Sequence, residues 1–293
     1  MAGEVSSELI ISPRSQSVRD DLTDAPGWPA YAADLRTAVA TVIDKSTAGT
    51  LEVGELLVGE PLQDSCSALR NGVEVRPAEA VRLVEAMVSG SGPYCRLSRP
   101  GRLQIESGWD GAVHLYVGSG TATELSGLGG GELSLRWRQA EPEPVEVSKP
   151  VTAVADESFW NAVREASQRF TLLCERWAHG AHGCTWFRVT PGNAADVARL
   201  VRPRSLLCVG TEPDLRPRTE LLEDDFTAFV DPASPGELAY RAFPGGADDL
   251  SDVTGEGFPF MLADTDVERW CAVVPDPDGV VRGQWEDPAG QYA

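Results

Sequence analysis

The chain has little that announces an address or a reaction. Its first residues, MAGEVSSELIISPRSQSVRDD, contain no basic stretch leading into an apolar run of roughly 7–15 residues, so no secretory leader is expected. The longest apolar run lies around Ala38–Ile43, far short of the roughly 18–20 residues that cross a bilayer. The expected location is therefore the cytoplasm. Lysine occurs only at Lys45 and Lys149 while arginine is abundant, which fits the codon bias of a GC-rich genome such as those of actinobacteria. Histidine is confined to His114, His179 and His182, and there is no Gly-x-Ser-x-Gly elbow. Serine hydrolase chemistry of the elbow type is thus excluded, and Ser/His/Asp catalysis would need a geometry that the sequence does not reveal.

The cysteines are Cys66, Cys95, Cys174, Cys184, Cys208 and Cys271. They are scattered, with no dense framework. In a cytoplasmic protein they are expected to be reduced, mostly buried, and to behave as small apolar side chains.

What the chain does have is a core's worth of apolar residues and a large excess of acid. It has 293 residues, of which 42% are hydrophobic and 24% charged, with a mean hydropathy of -0.19. Those values exclude collagen-like and wholly disordered chains. The length allows one large domain or two small ones. Lys and Arg number 25 against 45 Asp and Glu, for a formal charge of -20. A field of that sign repels phosphate backbones and anionic lipid, so neither nucleic acid nor a membrane is an expected partner.

Hydrophobic spacing predicts the elements. Residues 1–26 are polar and unpatterned and read as a flexible arm. Trp28, Tyr31, Leu35, Val39 and Val42 mark one face of a helix over Pro29–Lys45. A short strand over Gly72–Arg76 precedes a helix opened by Pro77, and strands follow at Tyr94–Ser98, Leu103–Ser107, Ala112–Val117 and Glu132–Arg138. The proline-rich stretch Gln139–Pro150 places an extended linker over 139–155. Phe159, Val163, Phe170, Leu173, Cys174 and Trp177 predict a second long helix, Asp156–Ala178. Then come a strand at Thr185–Val189 and a helix opened by Pro191 with Thr190 as its cap. Further strands are expected at Ser205–Gly210, Phe226–Val230, Glu237–Phe243, Phe258–Leu262, Trp270–Val274 and Val280–Trp285, with a turn at Asp276–Gly279 before the last.

The two halves share this order. Val75-Arg76-Pro77 resembles Val189-Thr190-Pro191, Cys95 corresponds to Cys208, and Gly131-Glu132-Leu133 corresponds to Gly236-Glu237-Leu238. The expected fold class is α+β, built as two related α/β repeats over 27–138 and 156–293 packed with pseudo-two-fold symmetry. A groove between them would be the natural binding site.

Candidate chemistry is sparse. His179, His182 and Cys184, with Cys174 upstream, are the right donors for zinc, but Cys-x4-His-x2-His-x-Cys matches no common structural-zinc spacing. The histidines read as residues at a helix C-terminus and the neighbouring glycines as its caps. Gly118–Thr121 and Gly129–Gly131 lie between strands and lack a lysine, so a hairpin loop is expected rather than a phosphate cradle. His114 is expected on a strand face. No cofactor, metal or catalytic residue is assigned.

The acidic residues are the most distinctive. Glu223, Asp224 and Asp225 precede a strand, Asp248, Asp249 and Asp252 follow a Gly-Gly pair, and Asp264 and Asp266 follow another strand. They do not fit a calcium loop. Ordinary loop solvation is one reading; an anionic patch that draws in a cationic partner is the sharper one. The expected function is that of a non-enzymatic acidic protein, inhibitor or immunity-type, which captures a basic partner protein through those eight residues. The alternatives are a secretion-associated chaperone or adaptor that holds a helical partner between the repeats, and an enzyme of unknown class. The chaperone reading rests on layout alone, which resembles that of type VII secretion chaperones without shared residues.

Overall fold

The computed structural model describes residues 6–63, 66–108, 111–140, 150–263 and 269–285. The chain divides into two units, 1–57 with 61–145 and 58–60 with 146–293. Both mix helix and sheet.

The first unit is a seven-stranded antiparallel sheet with helices on one face. In chain order its elements are β1 (Ser7–Pro13), α1 (Gln16–Asp21), α2 (Trp28–Lys45), β2 (Leu51–Leu57), β3 (Glu74–Val75), α3 (Pro77–Val88), β4 (Tyr94–Arg99), β5 (Leu103–Ser107), β6 (Val113–Val117), α4 (Ser119–Glu124) and β7 (Leu133–Gln139). The strand order is β3-β2-β4-β5-β6-β1-β7. Strand alternation sends Leu9, Ile11, Leu97, Ile105 and Leu115 into the core, where all are fully buried. Helix α2 contributes Tyr31, Leu35, Val39 and Val42 from one face, as its spacing predicts, and Tyr31 donates its hydroxyl to the Gly111 carbonyl at 2.9 Å.

Residues 7–13 are the main correction here. Expected within a flexible arm, they form β1, paired with β6 on one side and β7 on the other. The apolar run Leu9–Ile11 is too short to announce itself, and its partners lie more than a hundred residues away. The glycine-rich stretch also differs from the expected plain loop: α4 follows Gly118, although at six residues it is one short turn of helix.

The second unit contains α5 (Glu157–Ala166), β8 (Thr171–Arg176), β9 (Cys184–Val189), α6 (Ala194–Leu200), β10 (Leu206–Thr211), β11 (Phe226–Phe229), β12 (Gly236–Leu238), β13 (Tyr240–Phe243), α7 (Leu250–Thr254), β14 (Phe260–Ala263) and β15 (Arg269–Val273). Five strands form one sheet in the order β12-β9-β8-β10-β15, and three form another in the order β13-β11-β14. The long helix expected over Asp156–Ala178 stops at Ala166, and Thr171–Arg176 is a strand instead. The first five residues of β8 are all buried. A strand covered on both faces shows no period of two, so its apolar run is easily read as a helix continuing. The predicted strand Glu237–Phe243 is two strands, β12 in the larger sheet and β13 in the smaller. Pro191 lies in a turn closed by Asn193, whose Oδ1 accepts the Thr190 amide at 2.7 Å, and α6 begins only at Ala194. Val280–Trp285 is not a regular strand, though the Asp276–Gly279 turn forms, with the Gly279 amide on the Asp276 carbonyl at 2.8 Å.

Most of the expected linker, residues 141–149, lies outside the described residues. Its last part is tied into the second unit: the Val151 amide bonds the Trp285 carbonyl at 2.8 Å and the Ala155 amide bonds the Val273 carbonyl at 2.9 Å.

Candidate functional site

The acidic surface is assembled by the three-stranded sheet. Phe226 at the start of β11 pairs with Phe243 at the end of β13 and with Ala263 at the end of β14. The segment entering β11 and the segment leaving β13 therefore meet at one end of the sheet. The first carries Glu223, Asp224 and Asp225. The second carries Asp248 and Asp249 and runs into α7 with Asp252. Beneath them, Phe226 and Phe243 stack at 4.7 Å, and Val253 of α7 joins them with Leu221, Ala228 and Met261 in a common apolar cluster.

Backbone contacts lock the two segments together. The Gly245 amide donates to Asp225 Oδ1 at 2.7 Å, and the Ala247 amide donates to the Leu222 carbonyl at 2.9 Å. Between them Gly246 has φ +86°, and a Cβ there would strike the Leu222 carbonyl. Both the dihedral and the close approach demand glycine. Asp249 caps α7, its Oδ1 accepting the Ser251 amide at 2.7 Å. That backbone bond, reinforced by the Ser251 side chain, holds the Asp249 carboxyl below its usual range.

Six of the eight sequence-predicted residues, Glu223, Asp224, Asp225, Asp248, Asp249 and Asp252, are thus brought to one place, and all six are exposed. Asp264 and Asp266 lie outside the described residues. No arginine, lysine or histidine forms an ion pair with any of the six among the described residues. Residues 219–268 hold 13 carboxylates and one cation, Arg241. Arg241 is itself paired with Glu256 and lies over the Phe243 ring, 4.9 Å from its centre.

The residues weighed as metal donors, and read instead as helix-end residues, are arranged differently. His179 and His182 are not at a helix end; they lie in the loop between β8 and β9. The Val58 amide donates to the His179 carbonyl at 2.8 Å, and the His182 amide donates to the Val58 carbonyl at 3.0 Å. Gly183 closes this loop, accepting the Trp177 and Ala178 amides, both at 2.9 Å, so the glycines serve a strand connection rather than a helix cap. No cluster of three or more His, Cys, Asp or Glu side chains suited to a metal occurs among the described residues.

His114 does lie on a strand face, in β6. Its Nδ1 is 2.7 Å from Glu8 Oε1. Arg138 Nη2 donates to the same carboxylate at 3.0 Å, and its Nε donates to Oε2. Burial raises the Glu8 carboxyl, but hydrogen bonds and charge from Arg138 and His114 outweigh it, and the group is held below its usual value. No Ser, Thr or Cys is bonded to His114 among the described residues. Glu8 lies in the segment read as an arm, and no sequence pattern marks it.

Four cysteines also converge, a grouping that sequence reasoning did not find. Cys174 and Cys208 belong to one apolar cluster on the five-stranded sheet, and Cys184 and Cys271 pack against it. Cys208 lies opposite Cys271 on one side and Cys174 on the other. A cavity of about 20 Å³, room for about one water, lies against this face, lined by Cys174, Cys208, Arg176 and Trp186 among others.

The chain matches no protein-family model, no curated protein and no solved structure at a significant level. Among the described residues no helix is long and apolar enough to cross a membrane.

Proposed function

We propose that this chain is a non-enzymatic acidic protein of the inhibitor or immunity type, which captures a basic protein partner on the surface formed by Glu223–Asp225 and Asp248–Asp252. One observation carries the reading. Carboxylates from separate stretches of chain converge on one end of a sheet, all six exposed and none in an ion pair with a cation among the described residues. Ordinary solvated loops intersperse both signs of charge. A single-sign cluster held in a fixed frame is a source of steering, which raises the encounter rate with a cationic surface and penalises wrong partners. The loops are held by bonds to backbone amides rather than by ion pairs: Asp225 and Asp249 each use an oxygen in this way, and no carboxylate of the six has its charge neutralised by an ion pair among the described residues.

The internal duplication remains part of the same proposal, at the level of local structure. One match, Val75-Arg76-Pro77 with Val189-Thr190-Pro191, falls where a strand leads toward a helix in both units, β3–α3 and β9–α6. The sheets differ: seven strands in the first unit, five and three in the second.

Amide hydrogen exchange with and without poly-L-arginine tests the proposed surface. Protection is expected at 222–225 and 244–254. Protection centred elsewhere, or spread evenly over both units, would overturn the assignment.

A further inference from the structure

The six cysteines are of two kinds. Cys66 and Cys95 lie in the first unit, where burial, with Cys66 adding to it, pushes the Cys95 thiol up to about 12. The other four lie in the second unit: Cys174, Cys208 and Cys271 are in register across β8, β10 and β15, and Cys184 of β9 is offset by two residues, opposite Arg176. Two pairs stand out among them: Cys184 is hydrogen-bonded to Cys174, which draws the Cys184 thiol down to about 7, and Cys208 meets Cys271. The sulfurs of Cys208 and Cys271 are 2.8 Å from each other.

The ladder explains the closeness. Cys208 and Cys271 are directly opposed in the antiparallel register. The Val274 amide donates to the Ser205 carbonyl at 2.9 Å, which makes Ser205–Val274 a hydrogen-bonded pair. Counting inward by the strict alternation of such ladders, Cys208–Cys271 is a non-hydrogen-bonded pair, where Cα atoms approach to about 4.5 Å and side chains converge. That falls within the roughly 4.4–6.8 Å that a disulfide bridges. On the other side of Cys208, the Glu212 amide on the Phe170 carbonyl at 2.6 Å sets the opposite phase. Cys174–Cys208 is then a hydrogen-bonded pair, with Cα atoms about 5.5 Å apart and side chains less close. Cys208 therefore has one favoured partner.

We infer that Cys208 and Cys271 form a dithiol which a hydroperoxide oxidises to an intramolecular disulfide. Cys271 is partly exposed and Cys208 is buried, so Cys271 meets the oxidant. Its thiolate sulfur attacks the terminal peroxide oxygen. The O–O bond breaks, the alcohol or water leaves after taking a proton, and Cys271 becomes a sulfenic acid. The Cys208 sulfur then attacks the Cys271 sulfur, the S–O bond breaks, and a second water leaves carrying the Cys208 proton. In sum, two thiols and one hydroperoxide give a disulfide, an alcohol or water, and one further water. The disulfide is the reversible product that shields an oxidised thiol from higher oxidation states.

The test uses the full chain, reduced, freed of reductant, treated with hydrogen peroxide and then alkylated with N-ethylmaleimide in urea. Two fewer of the six thiols should react, peptide mapping should show a Cys208–Cys271 link, and dithiothreitol should restore both. C271S should keep all of its remaining thiols under the same dose, while C208S should stop at a Cys271 sulfenic acid that dimedone traps. Full alkylation after peroxide, a link through Cys174 or Cys184 instead, or equal thiol loss in C271S would overturn the inference. If C208S fails to fold, the wild-type peptide map and C271S, changed at the partly exposed position, still decide it.

Discussion

Asp225 Oδ1 accepts the Gly245 amide at 2.7 Å, and this bond joins the two acidic stretches across the end of the three-stranded sheet. D225A should release Gly245, whose amide exchange should quicken about fivefold, as the loss of about 1 kcal/mol produces. D225N keeps an acceptor oxygen and should stay near wild type. Equal exchange in D225A and wild type would show that the backbone bond from Ala247 to Leu222 holds the loops unaided.

The Glu8 carboxylate makes stability depend on acid. Its folded pKa lies below the ordinary value because Arg138 and His114 overcome the effect of burial. A carboxyl lowered by folding contributes its stability in full above about pH 4.3, its unfolded value. The contribution is lost as pH falls through the lower folded value. E8Q should therefore be less stable than wild type at pH 7, and the gap should close toward pH 3 in urea titrations. A gap that persists unchanged at low pH would contradict the charge-based account.

Glu175 is a buried carboxylate of the second unit. Fully buried, it accepts the Arg202 amide and the Arg202 guanidinium, each at 2.6 Å, and the Ser205 hydroxyl at 3.0 Å. It fixes the turn that leads into β10. E175A strips the partners from all three donors and should cost about 3 kcal/mol, read from urea unfolding. A loss under about 1 kcal/mol would mean that water replaces the carboxylate at no great cost.

Oxidation should also stabilise. A Cys208–Cys271 link joins positions 63 residues apart, worth about 4 kcal/mol on the chain-entropy account. The peroxide-treated protein should melt several degrees higher than the reduced form, and C271S should show no such rise. A fall in Tm on oxidation would mean that the link distorts β15.

How much of this was written in the chain depends on how local each feature is. Helix α2 was legible because Tyr31, Leu35, Val39 and Val42 repeat within a single element, and the turn at Asp276–Gly279 because its residues bring their own geometry. Strand β1 was not, since its ladder partners, 113–117 and 133–139, lie more than a hundred residues away. Strand β8 was misread because burial on both faces erased its period. The acidic residues could be picked out one by one, but their meeting depends on the register that places Phe226 opposite Phe243. The thiol pair likewise depends on the register of β10 against β15, which two cysteines in separate strands do not encode by spacing.

The most direct test of the acidic surface is kinetic. Association of the chain with a small basic protein, egg-white lysozyme, is measured at rising salt for wild type, for E223Q/D224N/D248N/D252N, and for D20N/D21N/D44N/E124Q, which removes as many exposed carboxylates from the first unit. Steering by the proposed surface predicts an association rate about tenfold lower and a flatter salt dependence for the first variant, with the second close to wild type. Equal slowing in both variants would show that net charge alone attracts the partner, and would contradict a dedicated docking surface.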